Sequence, residues 1–383
     1  MKRFHPWIFS GAIHSIEGKV QEGDTVEVYS STQEYLGTGF CQIGSIAIKL
    51  ISFTQTNVEE SFWELKLTSC LDSRKRLGLF PNPKTNVFRL CFGEGDGLPG
   101  LIIDYYNGVC VIQTYSMGMH LAKPMLVQVL QKIFQGQLLA VYDKSEETMP
   151  KNGEIKIENA FLLGNVPSLT VHENGNAFQV DWVNGQKTGF FIDQRENRAL
   201  LSSYSKGKSV LNTFCYTGGF SVYAAAAGST TVHSVDSSKK ATEMCNTNFE
   251  LNAEVIPSAN QAFKTFTMDT FDFLKNKGNE YDIVVLDPPA FAKSRSVTHN
   301  AIMGYKRLNA EAMKQIKPGG IIFSFSCSQV ISRTIFNNTL MSAAIEAKRN
   351  VRILHQLSQP ADHPINIFNQ EGEYLKGLVL YVE

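Results

Sequence analysis

From Ala177 onward the chain repeats one rhythm: a short apolar run without polar alternation, then a longer stretch with helical spacing. "SVLNTFC" (209–215) precedes "FSVYAAAAG" (220–228), and "TTVHSVD" (230–236) precedes "KKATEMCNTNFELN" (239–252). "DIVVLDPP" (282–289) precedes "YKRLNAEAMKQIK" (305–317), and "GGIIFSFSC" (319–327) adds another apolar run. An apolar run of strand length that does not alternate is buried on both faces, which is what helices on either side of a parallel sheet produce. The pattern predicts an α/β, doubly wound domain over residues 177–383.

The first half is patterned differently. "DTVEVYS" (24–30), "YLGTGFCQ" (35–42) and "SIAIKLIS" (45–52), separated by turn formers, predict a small β-barrel-like module over 1–72. Helical spacing from Ser61 to Leu79 is broken by prolines, and "VFRLCFGEGDGLPGLIIDYYNGVCVIQTY" (87–115) then reads as a meander. Gly93 to Gly97 supplies a tight turn and Asn107-Gly108 a hairpin signal. "MHLAKPMLVQVLQKIF" (119–134) predicts one amphipathic helix and "LLAVYDKS" (138–145) a strand, so 73–176 is expected to be an α+β domain.

Chemistry concentrates where the apolar runs of the last domain end, the edge at which open α/β sheets bind ligands. Gly218-Gly219 lies between a strand and a helix, where missing side chains let backbone approach a ligand; plain turn formation is the alternative. Asp236, seventeen positions after Gly219, ends the next strand and can accept both hydroxyls of a ribose, or else cap the following helix. Asp269 offers the same choice between an adenine amino group and a helix cap. Asp287 ends the run Ile283 to Leu286. Pro288 and Pro289 lack N–H donors and fix φ, so they stop that strand and stiffen the backbone after it.

Composition narrows the classes. The 383 residues are 43% hydrophobic and 19% charged, an ordinary globular balance, and their number argues for two or three domains. Thirty-six basic against 36 acidic residues give no global polyanion signal, so nucleic acid must be met by local patches. The seven cysteines (41, 70, 91, 110, 215, 245, 327) form no C-x-x-C pair or zinc spacing, which predicts reduced thiols, no metal and a cytoplasmic protein. No apolar stretch has membrane-spanning length and none resembles a signal peptide, so no membrane partner is expected.

Asp-Pro-Pro after a central strand resembles the fourth motif of class I S-adenosylmethionine-dependent methyltransferases that act on nucleobases. Together with "KTGFFIDQRENR" (187–198), "FCYTGGFS" (214–221), "VDSS" (235–238) and "FSCS" (325–328), the chain resembles the bacterial 23S ribosomal RNA cytosine-5 methyltransferases of the large-subunit methyltransferase I type. "HPWIFSGAI" (5–13) is similar to the family's opening PUA segment, "EGDGLPGLIID" (94–104) to its middle domain and "EYLKGL" (373–378) to its last strand. Two departures are visible: few residues precede "HPWIFSG", and Ala290 stands where some relatives carry lysine. The resemblance implies a Rossmann-like fold and S-adenosylmethionine as cofactor. Asp193, Gln194 and Arg195 would cover its methionine end, with surface salt bridging as the plain alternative for Arg195 and Arg198. The turn from Phe214 through Tyr216 to Gly218 would hold its backbone, Asp236 and Ser237 its ribose, and Asp269 its adenine, with Asp287 at the reacting end.

Carbon 5 of cytosine is a poor nucleophile until a thiolate adds to carbon 6, and Cys327 is the candidate for that thiolate. A free thiol near pKa ~8.5 is mostly protonated at neutral pH, so a positive surrounding is expected, with Lys293 and Arg295 as candidates. Asp287 would hydrogen-bond the base, and Pro288 and Pro289 would form the rigid ledge on which it rests. The alternative for Cys327 is a buried structural thiol; Cys215 is the rival. Trp7, with Lys2, Arg3 and His5, the run Arg74 to Arg76, and Lys293 and Arg295 are candidate contacts to RNA. A homodimer is left open. Two other functions are consistent with the same residues: methylation of an exocyclic base amine, which needs no cysteine, and RNA binding by an assembly factor with a vestigial cofactor site.

Overall fold

The computed structural model describes residues 4–149, 156–257, 262–291 and 298–383. They form two compact units, one of residues 1–172, 180–192 and 361–372, the other of 173–179, 193–360 and 373–383.

The first unit opens with β1 (Trp7–Phe9), β2 (Thr25–Tyr29), β3 (Tyr35–Cys41) and β4 (Ile46–Ser52), an antiparallel sheet in the order β1-β4-β3-β2. After α1 (Glu60–Arg76) come β5 (Val87–Phe92), β6 (Leu101–Tyr106) and β7 (Val109–Thr114), then α2 (Met117–Leu121), α3 (Lys123–Phe134), β8 (Ala140–Asp143) and β9 (Ala160–Leu163). These five strands pair in chain order, with only β7 and β8 parallel. Phe40 and Ile51 of the first sheet share one core with Trp63 and Leu67 of α1 and Leu101 and Leu130 beyond it. The single helix expected over 119–134 is two, because Pro124 has no N–H to donate to the preceding turn; the break falls at Ala122.

Of the run Arg74 to Arg76, only Lys75 and Arg76 are exposed; Arg74 is not the solvated phosphate contact the sequence suggested. Arg74 is fully buried; its guanidinium donates to both oxygens of Asp96 at 2.6 and 2.7 Å and to the carbonyls of Arg89 and Asp362. A buried charge needs that many partners: four of its five N–H donors are committed, and its full burial keeps it from a phosphate.

A hairpin, β10 (Ser168–Glu173) and β11 (Asn176–Asp181), precedes the alternating part. There the expected strands form: β12 (Ser209–Thr213), β13 (Thr231–Asp236), β14 (Ala262–Thr267), β15 (Ile283–Leu286), β16 (Gly320–Ser326), β17 (Val351–Ser358) and β18 (Lys376–Val382). They make one sheet in the order β14-β13-β12-β15-β16-β18-β17, parallel except for β18, which runs antiparallel to both neighbours. Helices α4 (Arg195–Ser205), α5 (Gly219–Ala226), α6 (Lys239–Leu251), α7 (Thr270–Lys277), α8 (Thr298–Gln315) and α9 (Arg333–Ala347) connect and cover it. Adjacent strand residues serve opposite cores. Leu211, Val284, Leu286 and Ile322 pack with residues of α7, α8 and α9, while Val210, Ile283, Val285 and Phe323 pack with Leu201, Phe220 and Ala224 of α4 and α5. That two-sided burial is why the strand sequences show no polar alternation.

Register then fixes the edge where chemistry collects. Thr213 lies opposite both Val235 and Leu286, and Leu286 lies opposite Ser324, so the residues following β12, β13, β15 and β16 emerge along one edge. Because β18 is antiparallel, its first residue reaches that same edge: Lys376 pairs with Ser326.

Candidate active site

The turn after β12 is unusual backbone. Phe214 and Tyr216 both take left-handed φ values, 52° and 46°, and Gly218 follows at 82°. Bulky side chains rarely accept that region, so surrounding bonds must hold it. The Cys215 amide donates to the Val235 carbonyl at 3.0 Å, the Tyr216 amide to Asp236 Oδ2 at 3.0 Å, and Asn248 Nδ2 to the Thr217 carbonyl at 2.8 Å. Gly218 is required twice over: its φ suits glycine, and a Cβ there would lie 2.4 Å from Cys245 Sγ.

Asp236 is not the cap of α6. That role falls to Ser238, whose Oγ accepts from the Ala241 amide, while Asp236 ties the glycine turn to the Ser238 amide at 2.9 Å; Ser237 beside it is exposed. Asp269 does cap its helix: Oδ1 accepts from Phe271 and Asp272 at the start of α7. Arg195 and Arg198 are buried, not surface residues. Arg198 makes paired 2.8 Å bonds to buried Glu173, which also accepts from Tyr223.

Around Asp287 the structure assembles a chain of polar groups. Asn197 Nδ2 donates to Gln194 Oε1 at 2.7 Å, and Gln194 Nε2 donates to Asp287 Oδ2 at 3.0 Å. The Tyr374 hydroxyl donates to Asp193 Oδ2 at 2.6 Å, while Asp193 Oδ1 is buried with no hydrogen-bond partner. Burial, then the Asp193 carboxylate, push the Asp287 carboxyl up to about 7, against the Gln194 bond. Pro288 is buried and Pro289 exposed, and Phe291 anchors the segment by packing on Tyr305, ring centroids 4.7 Å apart.

Cys327 follows β16 directly, half-buried rather than sealed away. Burial and the charges of Asp287 and Asp193 push its thiol up to about 12. Lys376 acts the other way on the thiol; burial brings its own ammonium down to about 8. The rival thiol, Cys215, is buried against Cys245, and that neighbour and burial raise it. Lys293 and Arg295, like Lys2 and Arg3, lie outside the described residues. Among the described groups, the cation acting on Cys327 is one that the sequence reasoning missed. "EYLKGL" marked Tyr374 and Lys376 only as a strand start; their proximity to Asp193 and Cys327 depends on the antiparallel register of β18, which no local pattern signals. Trp7 is in the first unit, its indole N–H committed to Glu94 at 3.0 Å and its ring edge-on to His5 and Phe9.

A strand-to-helix glycine turn, a carboxylate ending the next strand and Asp-Pro-Pro after the strand between them and Cys327 define an S-adenosylmethionine-dependent methyltransferase. The family model for S-adenosylmethionine-dependent methyltransferases matches residues 159–370, and that for PUA-like domains matches 1–53. "Ribosomal RNA large subunit methyltransferase I" of Aeromonas hydrophila is 38% identical over 99% of this chain and 95% of its own length; that of Shewanella denitrificans is 36% identical over 100% and 96%. A candidate methyltransferase solved in complex with S-adenosylhomocysteine is 25% identical over 100% of this chain and 96% of that one, with a TM-score of 0.84. A candidate S-adenosylmethionine-dependent methyltransferase from Streptococcus mutans superposes with a TM-score of 0.82 at the same identity and coverage. The chain belongs to the ribosomal RNA large subunit methyltransferase I family, a PUA-like domain joined to a class I methyltransferase domain.

S-adenosylmethionine is its cofactor, and the residues present fit that molecule. The buried, unpartnered Oδ1 of Asp193 suits a cationic amino group, and the left-handed turn 214–218 keeps its shape against Cys245 only while residue 218 has no Cβ. Gly218→Ala is therefore expected to weaken S-adenosylmethionine binding at least tenfold, roughly 1.4 kcal/mol, as read by titration calorimetry. Unchanged affinity would mean that the cofactor does not lie on this turn.

Proposed function

We propose that this methyltransferase acts on 23S ribosomal RNA in the cytoplasm and forms 5-methylcytosine through a covalent adduct between Cys327 and carbon 6 of the base. The supporting observation is that Cys327 and Asp287 emerge from adjacent parallel strands, β16 and β15, with the Asp287 charge acting on the thiol and Asp193 influencing both. Bound S-adenosylmethionine supplies an electrophilic methyl group. Asp193, Gln194 and Arg195 hold its methionine end, Phe214, Tyr216 and Gly218 its backbone, Asp236 and Ser237 the ribose and Asp269 the adenine.

The protein's own part is to activate the ring. Sγ bonds to carbon 6, and the protonated carboxyl of Asp287 gives its proton to N3 as electron density accumulates there; an acid near pH 7 is suited to that. Carbon 5 becomes enamine-like and takes the methyl group. The carbon 5 proton then leaves to solvent, the carbon 6–sulfur bond breaks, and N3 returns its proton. Pro288 and Pro289 hold the backbone beneath the extruded base, Trp7 offers a half-buried ring for stacking, and Lys293 and Arg295 contact phosphate.

Mass spectrometric mapping of ribosomal RNA from cells with and without the gene tests the substrate and the base together. Loss of one 5-methylcytosine in 23S RNA is expected. Loss of an N-methylated purine instead would refute the adduct chemistry.

A further inference from the structure

Lys376 sits where a lysine needs a reason. It is 2% exposed, at the first position of a strand in the sheet interior, and no carboxylate lies within ion-pairing distance of its Nζ among the described residues. Its position is set from both sides of Cys327: its backbone pairs with Ser326, the residue before, and its Nζ donates at 2.7 Å to the carbonyl of Ser328, the residue after. Leaving an ammonium in such a place costs free energy that one carbonyl does not offset.

We propose that Lys376 is the proton partner of Cys327, taking the thiol proton as the nucleophile forms and remaining beside the thiolate as its counter-charge. The inference rests on the cysteine-adduct reading above. In the forward step the Sγ–H bond breaks and the proton passes to the neutral amine of Lys376, leaving a thiolate and an ammonium. The sulfur electron pair then forms the bond to carbon 6. When that bond breaks at the end of the cycle, the pair returns to sulfur and the proton returns from Lys376. Other charged groups bias the exchange. Asp287 and Asp193 oppose the thiolate, Glu373 favours the ammonium and Arg333 opposes it. Burial brings the amine to about 8, so a neutral fraction exists at physiological pH, and the exchange gains as pH rises through that value. Lys376 is thus a positioning residue that acts through the sulfur.

The test uses the full-length protein without RNA. Alkylation of Cys327 by iodoacetamide is followed by peptide mass spectrometry as a function of pH, with Cys41 in the same sample as the internal reference. Lys376→Met is expected to slow Cys327 alkylation about tenfold at pH 8, one unit of thiol pKa, with Cys41 unchanged. Lys376→Arg keeps the charge and is expected to restore much of the alkylation rate but not methylation. A folded Lys376→Met protein with the wild-type alkylation profile would overturn the proposal. Because a buried substitution can impair folding, the lysine is also titrated by NMR in the wild-type protein and in Cys327→Ala. A Lys376 midpoint near 8, unmoved in Cys327→Ala because the thiol is protonated there, supports the neutral amine the exchange needs; a midpoint near 10 overturns it. Neither readout depends on which base is methylated, so the RNA mapping can fail while this coupling stands, and the reverse.

Discussion

Cys327→Ser is expected to lower the methylation rate by roughly 10³-fold or more while leaving S-adenosylhomocysteine affinity within about twofold of wild type. A serine hydroxyl nearly matches the thiol in size, so packing at the end of β16 changes little. What is lost is a sulfur nucleophile able to add to carbon 6, and no other described thiol replaces it: Cys215 is buried against Cys245 and raised by it. The measurement is single-turnover transfer of labelled methyl to ribosomal RNA, with calorimetry for the ligand. A second readout is independent of rate. RNA carrying 5-fluorocytidine should remain covalently attached to the wild-type protein, because fluorine cannot leave carbon 5 as a cation, and Cys327→Ser should form no such complex. Full activity in Cys327→Ser would instead assign the chemistry to an exocyclic amine, for which Asp-Pro-Pro alone suffices.

The resting protein holds this thiol far from ionised, and that bears on how the reaction begins. The charges of two carboxylates, Asp287 and Asp193, oppose its ionisation against one lysine. A proton on Asp287 and a cationic amino group on Asp193 would remove both opposing charges, so the nucleophile becomes accessible once cofactor and base are seated. Such an order suits an enzyme whose thiol would otherwise react with unrelated electrophiles.

The doubly wound sheet was legible because each central strand is buried on both faces, and Ile283 to Leu286 show that in four letters. The turn from Phe214 to Gly218 and the strand-end aspartates were legible for a related reason: ligands meet such a sheet at its carboxyl edge, and that edge follows the end of each apolar run. Less visible was anything set by register between distant segments. Tyr374 meets Asp193, and Lys376 brackets Cys327, only because β18 inserts antiparallel between β16 and β17. A lysine in "EYLKGL" looks like any strand-end charge. Arg74 misled for the same reason: beside exposed Lys75 and Arg76 it reads as surface until Asp96 and the carbonyls of Arg89 and Asp362 converge on it.

Asp287→Asn is expected to reduce the methylation rate by about 10²- to 10⁴-fold, the range for removing a positioned acid, and to change two pH dependences. In the wild type the acid form donates to N3, so kcat/KM falls as pH rises through about 7, the value to which burial and Asp193 bring the carboxyl. Asparagine can still offer an N–H to the ring but has no proton to give, and its residual activity should lack that alkaline limb. Stability provides the complementary reading. A carboxyl at about 7 in the folded protein, against about 3.9 unfolded, binds its proton more tightly when folded. Its favourable contribution is therefore complete below pH ~4 and is lost as pH rises through about 7. The asparagine side chain is neutral throughout and loses nothing. The Tm of Asp287→Asn relative to wild type should accordingly climb between pH 5 and pH 8 in scanning calorimetry. A difference that stayed flat across that interval would mean the carboxylate is solvated at neutral pH, leaving N3 without its acid.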